Sequence, residues 1–228
     1  MKPEDNIMQV PGTEYWVLKD DTNLTPIALK KKDIIIEKQL APIFEEHISE
    51  NDIVYDVGAF IGDTALALQM YTTTTIHAFE PFPDAFECLK RNCPGVKATN
   101  IAVGNNDCYL LDNSTINGNS GTRSVKMVGT SQKKMLELDG YMPVYECPPT
   151  FIKIDVEGTE PYVLMGMLNT IWFCKPKLLI EIYPKLLTKY GFTPEWIFMF
   201  LERYGYKYEV VVGVETSTRY DILAIHEE

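Results

Sequence analysis

Short β-rich runs alternate with longer helical runs along most of this chain, and that alternation limits the folds it can adopt. Ile53–Val57 is predicted to be a buried strand, and the helical run Asp63–Met70 follows it. A second strand at Thr75–Glu80 is followed by a helix at Asp84–Asn92. Alternating strands and helices are typical of a mainly parallel sheet with helices packed on its faces. We therefore expect an α/β protein.

The alternation continues toward the C-terminus. Further strands are predicted at Lys97–Val103, Phe151–Val156, Lys177–Ile182, Tyr208–Val212 and Asp221–Ile225. The last two are close enough in sequence to form an antiparallel hairpin at one end of the sheet. In an open sheet of this kind, ligands bind beyond the carboxyl ends of the strands, where the strand order reverses. The residues at strand ends are therefore the candidates for a functional site.

Two stretches fall outside this alternation. We interpret residues 1–50 as an N-terminal appendage, either a cap or a dimer arm, on a single domain of residues 51–228. Residues 104–150 are polar and rich in turns. Within them, Asn113–Arg123 is predicted to be either a connector or a lid over an acceptor molecule.

The composition argues against several classes of partner. The net charge is −11 and the only compact basic run is Lys30–Lys32, which argues against a nucleic-acid substrate. No apolar stretch reaches the roughly 18–20 residues that cross a bilayer, and the N-terminus lacks the pattern of a secretory signal. Five cysteines without a Cys-x-x-Cys pair and three distant histidines argue against zinc. They favour a reducing, cytoplasmic compartment. The sequence does not indicate an oligomeric state.

The segment from Asp56 to Gly62 joins the first strand to its helix. Glycines at positions 58 and 62 allow a tight turn and the close approach of a ligand. The N-terminus of the following helix attracts an anionic group. Glu80 stands at the end of the second strand, where nucleotide-binding sheets place an acidic residue that accepts hydrogen bonds from ribose hydroxyls. Together these features predict a cofactor cleft.

Asp56 distinguishes between two classes of cofactor. A dinucleotide would place a diphosphate over this turn, and a carboxylate beneath it would repel that group. S-adenosylmethionine has no phosphate and carries a positive sulfonium and ammonium beside one carboxylate. The Gly58-x-x-x-Gly62 spacing also departs from the fingerprint of dinucleotide-binding proteins. The residues favour S-adenosylmethionine, with an NAD-type oxidoreductase and a non-catalytic binding module as the alternatives.

Seven segments share a further pattern, and in chain order they are Asp56–Ala59, Phe79–Pro81, Asn92, Ala102–Gly104, Leu136–Asp139, Ile152–Glu160 and Pro176–Glu181. Together they resemble the FkbM family of methyltransferases over about residues 50–185. The block from Lys153 to Glu160 is the most distinctive of them. Phe60 stands where the family more often has Asn, so a polar contact from that side chain is not carried over.

The resemblance implies a Rossmann-like class I methyltransferase fold with a seven-stranded sheet. It implies O-methylation of a hydroxyl, commonly on a sugar, a glycan or a similar small polyol. It also implies that Pro81 and Phe82 flank the adenosine and that Ala102 lies near the adenine. The predicted cofactor-binding residues are Asp56, Gly58, Ala59, Phe60, Gly62, Glu80, Pro81, Phe82, Ala102 and Asp155.

The candidates for the reaction itself lie at the ends of the fourth and fifth strands. Asp155 is nearest the expected methyl position, with Lys153, Glu157 and Glu181 around it. A sugar hydroxyl needs its proton removed or its charge stabilised. In one mechanism Asp155, or a neutral Lys153 of depressed pKa, is the general base, and Glu157 is the third catalytic candidate. In the other, Asp155 and Glu181 hold Mg²⁺ or Mn²⁺, which binds the acceptor oxygen.

The same residues also have a purely structural interpretation. Lys153 and Asp155 can form a buried ion pair that only shapes the strand end. A lysine with several carboxylates inside a mostly apolar strand is costly to bury without a function. We therefore predict a direct role for Asp155.

Overall fold

Side chains of the central strands alternate between two apolar layers, so the sheet is buried on both faces. Tyr55 and Val57 belong to one core cluster, whereas Val54 belongs to another that includes residues of the helix at 41–47. The computed structural model describes residues 2–35, 37–105, 109–110, 123, 133–141 and 146–227.

Among these residues there are eleven strands and eight α-helices. The strands are β1 (Ile7–Gln9), β2 (Trp16–Leu18), β3 (Val54–Val57), β4 (Ile76–Phe79), β5 (Lys97–Thr99), β6 (Tyr109–Leu110), β7 (Lys133–Lys134), β8 (Phe151–Ile154), β9 (Lys177–Ile182), β10 (Tyr206–Val212) and β11 (Tyr220–His226). The helices are α1 (Leu24–Lys31), α2 (Ala41–His47), α3 (Asp63–Leu68), α4 (Pro83–Asn92), α5 (Glu160–Met165), α6 (Leu168–Cys174), α7 (Pro184–Lys189) and α8 (Pro194–Arg203).

The main sheet has the strand order β10-β11-β9-β8-β3-β4-β5. Neighbouring strands are parallel except for β11, which is antiparallel to both β9 and β10. The predicted seven-stranded, mostly parallel sheet with a C-terminal antiparallel hairpin is confirmed. The chain runs outward from β3 through β4 to β5 and then returns to β8 on the other side of β3. This reversal opens a crevice at the carboxyl ends of β3 and its neighbours.

The third predicted strand, Lys97–Val103, is shorter than expected because a polar turn interrupts it. β5 ends at Thr99, and the Asn100 amide donates to the carbonyl oxygens of Glu80 at 2.8 Å and Pro81 at 3.1 Å. Val103 pairs only in an isolated bridge with Leu136. Of the predicted connector or lid, Arg123 is described and Asn113–Thr122 lie outside the described residues.

The N-terminal segment packs on α4. Apolar residues of β1, β2 and α1 share one core cluster with Ala85 and Cys88. The Asn92 side chain accepts a hydrogen bond from the Trp16 amide at 2.7 Å and donates to the Trp16 and Ile61 carbonyls at 2.9 and 2.7 Å. Buried contacts therefore hold this segment on the sheet domain; its role as a cap or dimer arm stays a prediction.

No helix in the described part of the chain combines the length and the apolar character needed to cross a membrane.

Candidate active site

A cavity of about 220 Å³ opens at the carboxyl ends of β3, β4 and β8. Its walls include the turn after β3, the loop after β4 and the residues that follow β8. Residues of the N-terminal segment and of the β10–β11 hairpin also line it, namely Asn23, Leu24, Glu37, Gln39 and Arg219. The cavity therefore lies where the strand order predicts a ligand site.

The turn after β3 is held by backbone contacts that need glycine. Gly58 has φ +93°, and a Cβ atom there would lie 1.8 Å from the carbonyl oxygen of Asp155. The amides of Gly58 and Ala59 both donate to the Phe79 carbonyl at 3.0 Å. Phe60, a non-glycine residue in the left-handed region at φ +46°, lines the cavity. This arrangement fixes the turn to the ends of both neighbouring strands.

Glu80 is held by two backbone amides at the end of β4. Its carboxylate accepts hydrogen bonds from the Phe60 amide at 2.9 Å and the Phe82 amide at 2.8 Å. The residue is 4% exposed, and burial raises the pKa of its carboxyl to about 7. Each oxygen keeps a second acceptor direction, so the carboxylate can accept hydrogen bonds from a ribose.

Apolar side chains form the part of the cavity next to Glu80. Phe82 and Ala102 both line it, together with Pro81, Ile101, Val103 and Met135. Arg123, which the sequence did not single out, lies with its guanidinium 4.6 Å from the Phe82 ring centre. It also donates to the two carboxylate oxygens of Asp84 at 2.9 and 3.1 Å. A flat apolar slot with an acidic end suits a nucleoside.

Asp56 lies behind the cavity wall and not on it. The residue is fully buried, and neither carboxylate oxygen has a hydrogen-bond partner among the described residues. Burial raises the pKa of Asp56 to about 6, although the charge of Lys153 opposes that shift. Ala59 and Gly62, also predicted to contact the cofactor, are likewise absent from the lining. Asp56 can therefore act on a ligand through its charge but does not reach the cavity surface.

Lys153 and Asp155 form a close ion pair at the end of β8. The Lys153 ammonium is 2.9 Å from Asp155 Oδ2 and 3.7 Å from Glu37 Oε2. Burial alone would lower the pKa of Lys153, but its acidic neighbours, led by Asp155, raise it well above its ordinary value. Burial also opposes the charge of Asp155, yet the Lys153 ammonium lowers the pKa of that carboxyl. These neighbouring carboxylates favour the ammonium form of Lys153, and its role as a neutral base stays a prediction.

Glu157 is held in an unusual backbone conformation beside this pair. It has φ +57°, is 7% exposed and lines the cavity. Its Oε2 has no hydrogen-bond partner among the described residues. Burial, followed by the charges of Asp155 and Glu160, raises the pKa of Glu157 to about 8. Glu160 has a different role, because its Oε1 accepts hydrogen bonds from the Val156 and Gly158 amides and stabilises the turn.

Glu181 adds a third carboxylate near the end of β9. Its Oε1 is 3.2 Å from Arg219 Nε, and its Oε2 is buried without a hydrogen-bond partner among the described residues. Burial, reinforced by the charge of Asp155, raises the pKa of Glu181 well above its ordinary value. Glu37, Asp155 and Glu181 each place one carboxylate oxygen within 4.8 Å of the others. Their geometry could hold a cation.

Four charged residues of the cavity lining were not predicted as site residues: Glu37, Asp63, Arg123 and Arg219. Asp63 carried a readable signal, because it is the first residue of the helix that follows the predicted glycine turn. The other three come from segments outside the strand–turn–helix motif, and no local spacing links them to it.

Comparison with known proteins gives a consistent result. The family model described as "Methyltransferase FkbM domain" matches residues 56–208. The chain is 31% identical to the hexuronic acid methyltransferase AglP of Haloferax volcanii, with 69% of each chain covered. It is 26% identical to Methyltransferase 1 of Beauveria bassiana, with 66% of this chain and 71% of the relative covered.

A solved structure supports the fold. An rRNA methylase from Streptococcus thermophilus superposes with a TM-score of 0.52 at 10% identity, covering 82% of this chain and 94% of that one. At this identity the likeness concerns the fold alone.

Proposed function

Because this chain belongs to the FkbM family of S-adenosylmethionine-dependent methyltransferases, we propose that it transfers a methyl group to a hydroxyl oxygen of a sugar or glycan. The observation that carries the proposal is the division of the cavity, with a nucleoside-like slot beside Glu80 and reactive carboxylates at the other end. The relative AglP, whose name specifies hexuronic acid, supports a sugar acceptor.

The cofactor fits the residues that line the cavity. Glu80 would accept hydrogen bonds from the ribose hydroxyls, while Phe82 and Ala102 would lie against the adenine. Asp63 lines the cavity at the start of α3 and would face the methionine part together with Asp155. The buried charge of Asp56 adds to this negative potential without direct contact. Carboxylates in this number suit a ligand that carries a sulfonium and an ammonium.

The bound cofactor supplies an activated methyl group for in-line displacement. The acceptor oxygen would take this methyl group in exchange for its hydroxyl proton, which Glu157 would accept, and S-adenosylhomocysteine would leave. The raised pKa of Glu157 makes it a better base than Asp155, whose pKa is lowered by Lys153. Asp155 would instead orient the acceptor and stabilise positive charge near the methyl group.

Mg²⁺ or Mn²⁺ remains a prediction, as an alternative way to activate the acceptor oxygen. Asp155 and Glu181 were the predicted ligands, and Glu37 lies close enough to be a third. The Lys153 ammonium already lies 2.9 Å from Asp155, so an ion would have to share that carboxylate with it. Full activity after treatment with EDTA would contradict the metal-dependent mechanism. Loss of activity that Mg²⁺ or Mn²⁺ restores would support it.

Binding and product analysis test the proposed function together. S-adenosylmethionine and S-adenosylhomocysteine should raise the melting temperature of the protein, while NAD(P) should not. Incubation with labelled S-adenosylmethionine and a panel of sugar glycosides should yield an alkali-stable methyl ether. Stabilisation by NAD(P) alone would support an oxidoreductase, and cofactor binding with no transfer would support a binding module. An alkali-labile methyl ester would contradict transfer to a hydroxyl.

A further inference from the structure

Three cationic side chains line the cavity in the described part of the chain, and they differ in how they are used. Arg123 is bonded to both carboxylate oxygens of Asp84 and lies on the Phe82 ring. Lys153 is 3% exposed and lies between carboxylates. The Arg219 side chain is 51% exposed and is paired through its Nε atom with Glu181. Arg219 is therefore the cation that is most accessible to an incoming molecule.

Arg219 lies at the end of the cavity away from Glu80. Its electrostatic neighbours are Glu181, Asp155, Glu37 and Glu157, which surround the proposed reaction centre. It comes just before β11, outside the residues 56–208 that match the family model. Its position is therefore a feature of this chain that the family match does not supply.

We infer that Arg219 binds a carboxylate of the acceptor, which makes an acidic sugar such as a uronic acid the substrate class. This inference rests on the proposed function, because the acceptor is taken to enter the cavity beyond the methyl donor. The ion pair between Nε and Glu181 Oε1 orients the guanidinium and leaves its two terminal nitrogens for a ligand. Those nitrogens can donate two parallel hydrogen bonds to one carboxylate.

The charges around Arg219 explain why a cation is needed there. Five carboxylates line the cavity, those of Glu37, Asp63, Glu80, Asp155 and Glu157, and they would repel an anionic acceptor that had no cation to meet it. A neutral sugar would need no guanidinium, because amides and carboxylates satisfy hydroxyl groups. A single guanidinium matches the single charge of a carboxylate better than the double charge of a phosphate.

Binding of small probes to the protein loaded with S-adenosylhomocysteine tests this inference. Methyl β-glucuronide should bind about tenfold or more tightly than methyl β-glucoside, and glucose 6-phosphate should not exceed the glucuronide. Arg219→Gln should remove the preference for the glucuronide, while Arg219→Lys should keep part of it because the charge remains. Arg203→Gln is the matched control, since Arg203 is exposed in the last turn of α8 and does not line the cavity.

The outcomes separate this inference from the proposed function. Unchanged affinity for S-adenosylhomocysteine in Arg219→Gln shows that the variant is folded. A glucuronide preference that survives in Arg219→Gln, or equal binding of the two glycosides by the wild type, overturns the inference. Tighter binding of the phosphate overturns the choice of carboxylate. If a non-sugar carboxylate such as benzoate binds in an Arg219-dependent way and neither glycoside binds, the sugar acceptor fails while the carboxylate site stands.

Discussion

The cavity has a cofactor end, next to Glu80, and an acceptor end, next to Asp155 and Glu157, and the two differ in how their polar groups are satisfied. At the cofactor end, both oxygens of Glu80 are bonded to backbone amides, and the residues concerned lie within positions 56–103 or pack against them. At the proposed acceptor end, Glu157 lines the cavity and buries an oxygen that has no hydrogen-bond partner in the described residues. The polar groups of the first end are thus already held in place, as the proposed cofactor site requires. The second end keeps an unsatisfied polar group, which the proposed acceptor and its proton would satisfy.

At the acceptor end, substitution of Asp155 is expected to reduce methyl transfer more than any other change. Asp155→Asn removes the charge that pairs with Lys153 and is expected to lower kcat by about 10³-fold or more. Steady-state methyl transfer measures the loss, and titration with S-adenosylhomocysteine checks that the cofactor end persists. A kcat within tenfold of the wild type would show that the ion pair only shapes the strand end.

Substitution of Glu157 is expected to lower kcat by a smaller factor, and the pH dependence of kcat identifies its role. The carboxyl must be ionised to accept a proton, so kcat should rise as the pH increases through about 8, where burial places the pKa of Glu157. Glu157→Gln should lower kcat by about 10²-fold and remove this rise. Glu209→Gln, an exposed change on β10, is the control and should leave the profile intact. An unaltered pH profile in Glu157→Gln would assign the base elsewhere.

The cofactor end is tested at Glu80. Glu80→Gln keeps the shape but turns one acceptor oxygen into a donor, which should weaken S-adenosylhomocysteine binding by about 30-fold. Because burial raises the pKa of Glu80 to about 7, wild-type affinity should fall as the pH drops below 7, and the variant should lose that dependence. Calorimetric titration measures both effects, with the exposed Glu45→Gln as control. Equal affinities of the wild type and Glu80→Gln for S-adenosylhomocysteine would contradict the assignment of Glu80 to the ribose site.

The smallest effect is expected where the N-terminal segment joins the sheet domain. Asn92→Ala removes three hydrogen bonds and should lower the free energy of unfolding by about 2 kcal/mol. Urea unfolding measures the change, with the exposed Asn51→Ala as a matched control. If both variants unfold at the same urea concentration, the segment is held by its apolar contacts alone.

The same contrast explains what the sequence could predict. The alternation of strands and helices, the hairpin and the position of Glu80 follow from local periodicity and from residues at strand ends. Gly58 was found because it lies directly after a predicted strand, whereas Phe82 was implied by the family resemblance. For Lys153 the sequence could not show that three acidic neighbours, led by Asp155, oppose the lowering of its pKa by burial. The local sequence pattern does not show which residues from distant parts of the chain become neighbours in the fold.

Two further positions show the same limit. Glu37 lies in the N-terminal segment, and its spacing from the other site residues in the sequence gives no sign that it reaches the proposed reaction centre. Arg219 reaches the same place from the β10–β11 hairpin. Asp56 was expected beside the cofactor, but the structure places it one layer deeper. It lies in β3 between Tyr55 and Val57, which both belong to one core cluster.

The contact between Gly58 and the carbonyl of Asp155 has a mechanical consequence. A single added methyl group at position 58 would collide with the backbone that carries the proposed reactive carboxylate. The spacing between the turn after β3 and the chain after β8 is thus set by main-chain contact, and rotation of a side chain cannot alter it. Even alanine at position 58 should be poorly tolerated, because it would push apart the two segments that line the cavity on either side of this contact.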